Sequence, residues 1–206
     1  MMSQKEYWEN IYSVDELKYP VYDGWLDKYL DILKTAHGIM DLGCGNGVNM
    51  QFLAKNGLPA TGCELSQKAL DMLAKSLPSA KTSCFDMTEG LPFADESFDV
   101  IISDLSLHYF SSKATNFALN EMKRVLTKKG VLLCRLNSVK EYEQLRNGTE
   151  LEPDFYLMPN GCTKRFFNRE TVLALFSDWN IHYVDELPSD KYGGGNDFWE
   201  LKLSKE

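Results

Sequence analysis

The sequence has no Cys-x-x-Cys pair, and its cysteines are odd in number: Cys44, Cys63, Cys84, Cys134 and Cys162. Zinc ligands usually come as closely spaced pairs and disulfide frameworks as even sets, so neither is expected to organise this chain, and no metal site is expected. Four of the thiols lie in or beside apolar segments, where free cysteine acts as a small hydrophobe, which fits a reducing compartment. No apolar run approaches the roughly 20 residues of a membrane span. Nor does the start, Met1 to Trp8, carry a basic flank leading into an apolar run. The expected location is therefore the cytoplasm, with no membrane partner. Basic residues are scarce: 22 Lys and Arg stand against 30 Asp and Glu, a net charge of −8. A polyanion would meet net repulsion unless the cations clustered. The clusters present, Lys123-Arg124 with Lys128-Lys129, and Lys164-Arg165, read as solvated faces, so nucleic acid is not the expected partner.

What is present is a globular pattern. The 206 residues, 44% apolar and 25% charged, suffice for one domain with a sizeable core. Short apolar runs alternate with segments of helical period. Trp25, Leu26, Tyr29, Leu30 and Leu33 make one stripe and predict a helix over 22–35. Strands are expected at 38–42, 60–64, 81–85, 98–103 and 131–136. Helices are expected after Val48, after Ser66 as N-cap, over 112–127 and after Asn168. Strand–helix alternation gives parallel strands joined by helical crossovers. Two late strands, near 180–187 and 197–203, have no helix between them and should pair antiparallel. Residues 148–165 show no period and read as an irregular insertion. The fold expected over 1–206 is a single doubly wound α/β domain, with a mostly parallel sheet.

In such a sheet, ligands sit beyond the C-terminal strand ends where strand order reverses. The first strand delivers Asp41-Leu42-Gly43-Cys44-Gly45-Asn46-Gly47, whose glycines allow unusual backbone angles and a close ligand approach. Glu64 ends the second strand at the distance where an acidic residue holds a ribose diol. Asp86 follows the third strand, placed to accept from an adenine amino group. A dinucleotide fingerprint needs glycine or alanine at position 48 and finds Val48. Asp41 and Glu64 would serve a pyrophosphate badly and a cation well.

Ile39 to Gly47 resembles motif I of the class I S-adenosylmethionine-dependent methyltransferases. Thr61 to Ser66 resembles their second motif, Phe98 to Ser103 their fourth-strand segment, and Arg124 to Leu132 their turn into strand five. These segments follow in order from about residue 36 to 136. Glu6 to Tyr12, and Lys164 to Asn168, are similar to the small-molecule methyltransferases that include tellurite-resistance proteins. The resemblance implies a Rossmann-like, seven-stranded sheet with an antiparallel C-terminal strand, and S-adenosylmethionine as cofactor. It implies that Gly43, Gly45 and Gly47 border the methionine part of the cofactor, with Asp41 near its ammonium. Glu64 would hold the ribose, Leu65 would pack on adenine, and Asp86 and Met87 would bind the adenine edge. Asp104 and Leu105 would face the reacting methyl.

Ser106-Leu107-His108-Tyr109 stands where a methyl acceptor should approach, with His108 as candidate general base or as a structural histidine. Trp8, Tyr7, Tyr12, Tyr19 and Tyr22 make residues 1–22 aromatic-rich, fit either for a lid over a sulfonium or for hydrophobic anchoring. Arg165 is a candidate for meeting an anionic acceptor. The Asn-Pro-Pro-Tyr type motif of amino-directed DNA methyltransferases is replaced by Ser103-Asp104-Leu105-Ser106. With the negative charge, this points to methyl transfer onto a small molecule. Two alternatives remain at this level: a non-catalytic module that binds cofactor or partner, and an NAD-linked oxidoreductase.

Overall fold

A computed structural model describes residues 2–13, 21–140, 147–192 and 196–205. Tyr19 and the three glycines of the late hairpin lie outside the described residues.

Helix α1 (Gln4–Ile11) starts at a capping box, in which Ser3 Oγ accepts from the Glu6 amide at 3.2 Å and the Glu6 carboxylate accepts from the Ser3 amide at 2.8 Å. The helix expected over 22–35 is shorter. Gly24, at φ +81°, holds the chain out of helix, and a 3₁₀ turn at Asp27–Tyr29 leads into α2 (Leu30–Thr35). Trp25 and Leu26 are buried although they precede it.

From there alternation holds: β1 (Ile39–Leu42), α3 (Val48–Lys55), β2 (Thr61–Glu64), α4 (Gln67–Ser76), β3 (Lys81–Cys84), β4 (Phe98–Asp104), α5 (Ser112–Val125) and β5 (Leu126–Asn137). Ser66 caps α4, its hydroxyl accepting from the Ala69 amide at 3.2 Å. Strand β5 begins earlier than expected. Leu126 pairs with Phe98, the register then skips Thr127 to Gly130, and pairing resumes where Val131 meets Val100, so the turn expected at Lys129-Gly130 is an irregularity inside the strand.

Residues 148–165 are not irregular. They form a separate antiparallel sheet of β6 (Thr149–Glu152), β7 (Phe155–Leu157) and β8 (Thr163–Arg165). Its strands are too short and too evenly half-exposed to print a period on the sequence. Met158, Cys162 and Phe166 make its small core, with Tyr7 of α1 packed against them. Helix α6 (Arg169–Leu175), capped by Asn168, then leads to β9 (Asn180–Ser189) and β10 (Asn196–Ser204).

The main sheet has seven strands in the order β3-β2-β1-β4-β5-β10-β9. Only β10 runs against its neighbours, pairing antiparallel with both β5 and β9. Alternation along β4 sends Ile101 to the core under α5 and α6, and Val100 and Ile102 to the core under α2, α3 and α4. Among the described residues no helix is long and apolar enough to cross a membrane.

Candidate functional site

Strand order reverses between β1 and β4, and a cleft opens there beyond their C-terminal ends. The ends of β1, β2, β3 and β4 form its floor. Trp8, Tyr12, Tyr109 and Phe110 form its roof, and Lys191 and Tyr192 one side.

The turn after β1 holds all three glycines in left-handed conformations, with φ of +78°, +53° and +92° at Gly43, Gly45 and Gly47. The chain itself uses much of the space their missing side chains release. A Cβ at Gly43 would lie 2.5 Å from that of Ser106, and one at Gly45 2.6 Å from the Tyr12 hydroxyl. Gly47 is pressed by Leu73 and sits outside the cleft lining. Sequence reasoning expected this room to serve the ligand; at these positions close packing takes it.

Glu64 lines the cleft with its carboxylate turned onto the loop. Oε2 accepts from the Gly45 amide at 3.0 Å, and Oε1 from the Leu65 and Ser66 amides at 2.7 and 3.1 Å. A carboxylate offers about four acceptor sites, so capacity remains on Oε2. Burial raises its pKa, against the lowering effect of those three amides. Leu65, Asp86 and Met87 line the same end. Asp86 also closes a local turn, its Oδ1 accepting from the amide and hydroxyl of Thr88 at 2.8 and 2.6 Å.

Asp41 lies beneath the lining, fully buried; among the described residues neither carboxyl oxygen has a hydrogen bond of good geometry, the Asn49 amide being near enough only to lower its pKa a little. Burial, and then the neighbouring Asp104 charge, push its pKa from 3.8 to about 7. Asp104, also in the lining, is the opposite case. Its Oδ1 accepts from Arg135 Nε at 2.8 Å; its Oδ2 accepts from Asn49 Nδ2 at 3.1 Å and pairs with the Lys191 ammonium. Burial would raise this carboxyl, but Lys191 and Arg135 outweigh it and hold it below the usual carboxylate range. Arg135 is itself bound to Asp23 at 2.6 Å and stacked on Trp25. Leu105 follows with φ +57°, an unusual conformation for a leucine at a strand end facing a cleft.

Trp8 meets Tyr109 edge-on at 4.8 Å between ring centroids, closing the roof. Two other expected site residues are not brought to the cleft. His108 is 1% exposed and absent from the lining. In the 3₁₀ turn Leu107–Tyr109, residues three apart share a side, so Ser106 and Tyr109 face the cleft and His108 turns inward. Burial, reinforced by the Lys164 charge, lowers its pKa well below 6.5 and keeps the ring neutral. Arg165 is spent within the small sheet, on Glu152 at 2.5 Å and the Pro153 carbonyl at 2.7 Å.

Sequence reasoning missed Asn49, Arg135 and Lys191. Arg135 left a signal, since a cation inside the apolar run Val131 to Leu136 must be paired. Lys191, in a hairpin loop, left none.

Residues 40–134 match the family described as a methyltransferase domain. The chicken tRNA N(3)-cytidine methyltransferase METTL2 is 26% identical over 166 residues, 74% of this chain and 45% of that protein's length. The chain thus spans under half of this relative. A Methanosarcina mazei structure named for S-adenosylmethionine-dependent methyltransferases superposes with a TM-score of 0.72 at 20% identity, covering 82% of this chain and 92% of that one. TehB from Haemophilus influenzae superposes with a TM-score of 0.67 at 16% identity, covering 98% of this chain and 67% of that one. Both structural likenesses speak to the fold. The domain match runs from β1 into β5, 95 of the 206 residues, along the same motifs that resemble those of the class I S-adenosylmethionine-dependent methyltransferases.

Proposed function

We propose that the protein transfers a methyl group from S-adenosylmethionine to an acceptor bound under the aromatic roof. The observation that carries this is the fully buried Asp41 carboxyl directly behind the glycine loop, which among the described residues has no well-formed hydrogen bond on either oxygen. An orphaned buried carboxyl costs free energy and fits a site that receives a cation. The remaining residues fit the same group. Glu64 keeps acceptor capacity for ribose hydroxyls, Leu65 offers an apolar face for adenine, and Asp86 and Met87 stand at the adenine edge. Gly43 and Gly45 border the methionine portion, with Asp104 and Leu105 at its far end. When bound, the cofactor supplies an electrophilic methyl on a positively charged sulphur.

The chain's own residues then act by position. Trp8, Tyr12 and Tyr109 exclude water and place aromatic faces near a cation. With His108 turned away, the acceptor's attacking atom must be nucleophilic without that ring taking its proton, and catalysis rests on alignment. The acceptor we propose is a small molecule. Among the described residues the lining contains one cation, Lys191, which is paired with Asp104, and the net charge is −8. A second reading, an RNA acceptor, is favoured by the relative named for tRNA.

Calorimetry should show binding of S-adenosylmethionine and none of NAD; the reverse would overturn the assignment. Labelled-methyl transfer onto thiols, amines, phenols and metalloid oxyanions, run beside total RNA, then decides the acceptor. Label in RNA alone would replace the small-molecule reading.

A further inference from the structure

Lys191 is a buried cation in the wall of the cleft, 7% exposed, on the loop between β9 and β10. Its backbone is tied down: the Lys191 amide donates to Ser189 Oγ at 3.1 Å, and its carbonyl accepts from the Val21 amide at 3.3 Å. Only its four-carbon stem is free to swing. Its partner Asp104 has further contacts, Arg135 Nε on Oδ1, from a guanidinium shared with Asp23, and the Asn49 amide on Oδ2, which keep that carboxylate oriented. The cleft therefore presents a fixed anion and a movable cation side by side. That arrangement suits a head group carrying both signs. A phosphate would find Lys191 but also meet Asp104 and Glu64 in the same lining; an amino-acid end would satisfy Asp104 with its ammonium and Lys191 with its carboxylate.

Resting on the proposed cofactor reading, we infer that Lys191 is a specificity-determining residue that binds the α-carboxylate of the cofactor's amino-acid end, exchanging its Asp104 partner for it. In the absence of cofactor, the Lys191 ammonium takes the place on Asp104 that the ligand ammonium would occupy.

The test is calorimetry with two probes, S-adenosylhomocysteine and its decarboxylated analogue S-adenosyl-3-thiopropylamine, against wild-type protein, Lys191→Met and Lys191→Arg. Wild type should bind S-adenosylhomocysteine at least about tenfold tighter than the analogue, the scale of a charge-assisted hydrogen bond. Lys191→Met should lose that discrimination by weakening S-adenosylhomocysteine alone, and Lys191→Arg should largely keep it. Equal binding of both probes by wild type overturns the inference without needing a folded variant, and leaves the cofactor reading standing. Equal weakening of both by Lys191→Met reduces Lys191 to a structural partner of Asp104. Binding of neither probe by wild type removes the cofactor reading and this inference with it.

Discussion

Below the cleft, Asp41, Ser103 and Asp104 are all 8% exposed or less and sit on strands with core packed on both faces; above it, α1 buries no residue at all. The roof helix is held by the half-buried rings of Tyr7 and Trp8 and by polar contacts along its length. Gln4 Nε2 donates to Thr163 Oγ1 at 2.7 Å, Asn160 Nδ2 to the Tyr7 hydroxyl at 3.1 Å, and the Gln67 amide to Glu9 at 2.8 Å. The floor thus buries charge within a rigid sheet, where an unmatched group is costly. The roof buries little and rests on contacts worth about 1 kcal/mol each. The floor decides what is bound, and the roof decides how it is covered.

Breaking the floor should cost most. Asp104→Ala leaves Arg135 and Lys191 buried without their shared anion, and urea unfolding should show a loss of about 3–5 kcal/mol. A loss below 1 kcal/mol would mean the cluster is not the buried unit described. Asp41→Asn should act in the opposite direction. Its carboxyl titrates at about 7 in the folded chain against about 3.9 unfolded, so the folded state holds an extra proton between those values. Stability contributed by this group therefore falls as pH rises from 4 to 7. Asp41→Asn should remove that slope and gain roughly 2–4 kcal/mol at pH 8, read by melts across pH. An unchanged slope would place the titration elsewhere.

Glu64→Ala sharpens the contrast between binding and stability. Cofactor affinity should fall about 10–100-fold, the loss of charge-assisted hydrogen bonds, and unchanged affinity would remove Glu64 from the site. The smallest effect belongs to the roof's support. Arg165→Ala, which opens the ion pair with Glu152, should cost about 1 kcal/mol or less and leave cofactor affinity unchanged, checked by melting and titration.

The same division explains what could be read in advance. Floor elements carry strong local signals: the apolar run of β4, the Ser66 cap and the glycine spacing after β1 each reflect a constraint acting within a few residues. The small sheet carries none, because strands of four, three and three residues, half-exposed, leave no period. The sequence points to the segment Ser106 to Tyr109 and not to which of its side chains faces the cleft, since one residue of rotation in a 3₁₀ turn exchanges Tyr109 for His108. Lys191 pairs with Asp104 from 87 residues away, a contact set by the β9–β10 hairpin and written nowhere locally.

The central claim is that the floor between β1 and β4 receives a sulphur nucleoside with an amino-acid end. A crystal structure of the protein grown with S-adenosylhomocysteine tests it most directly. The ligand is expected along the Gly43–Gly47 loop, its ribose on Glu64 and its amino-acid end toward Asp104. Crystals with that cleft empty, or with the ligand bound elsewhere on the molecule, would contradict it.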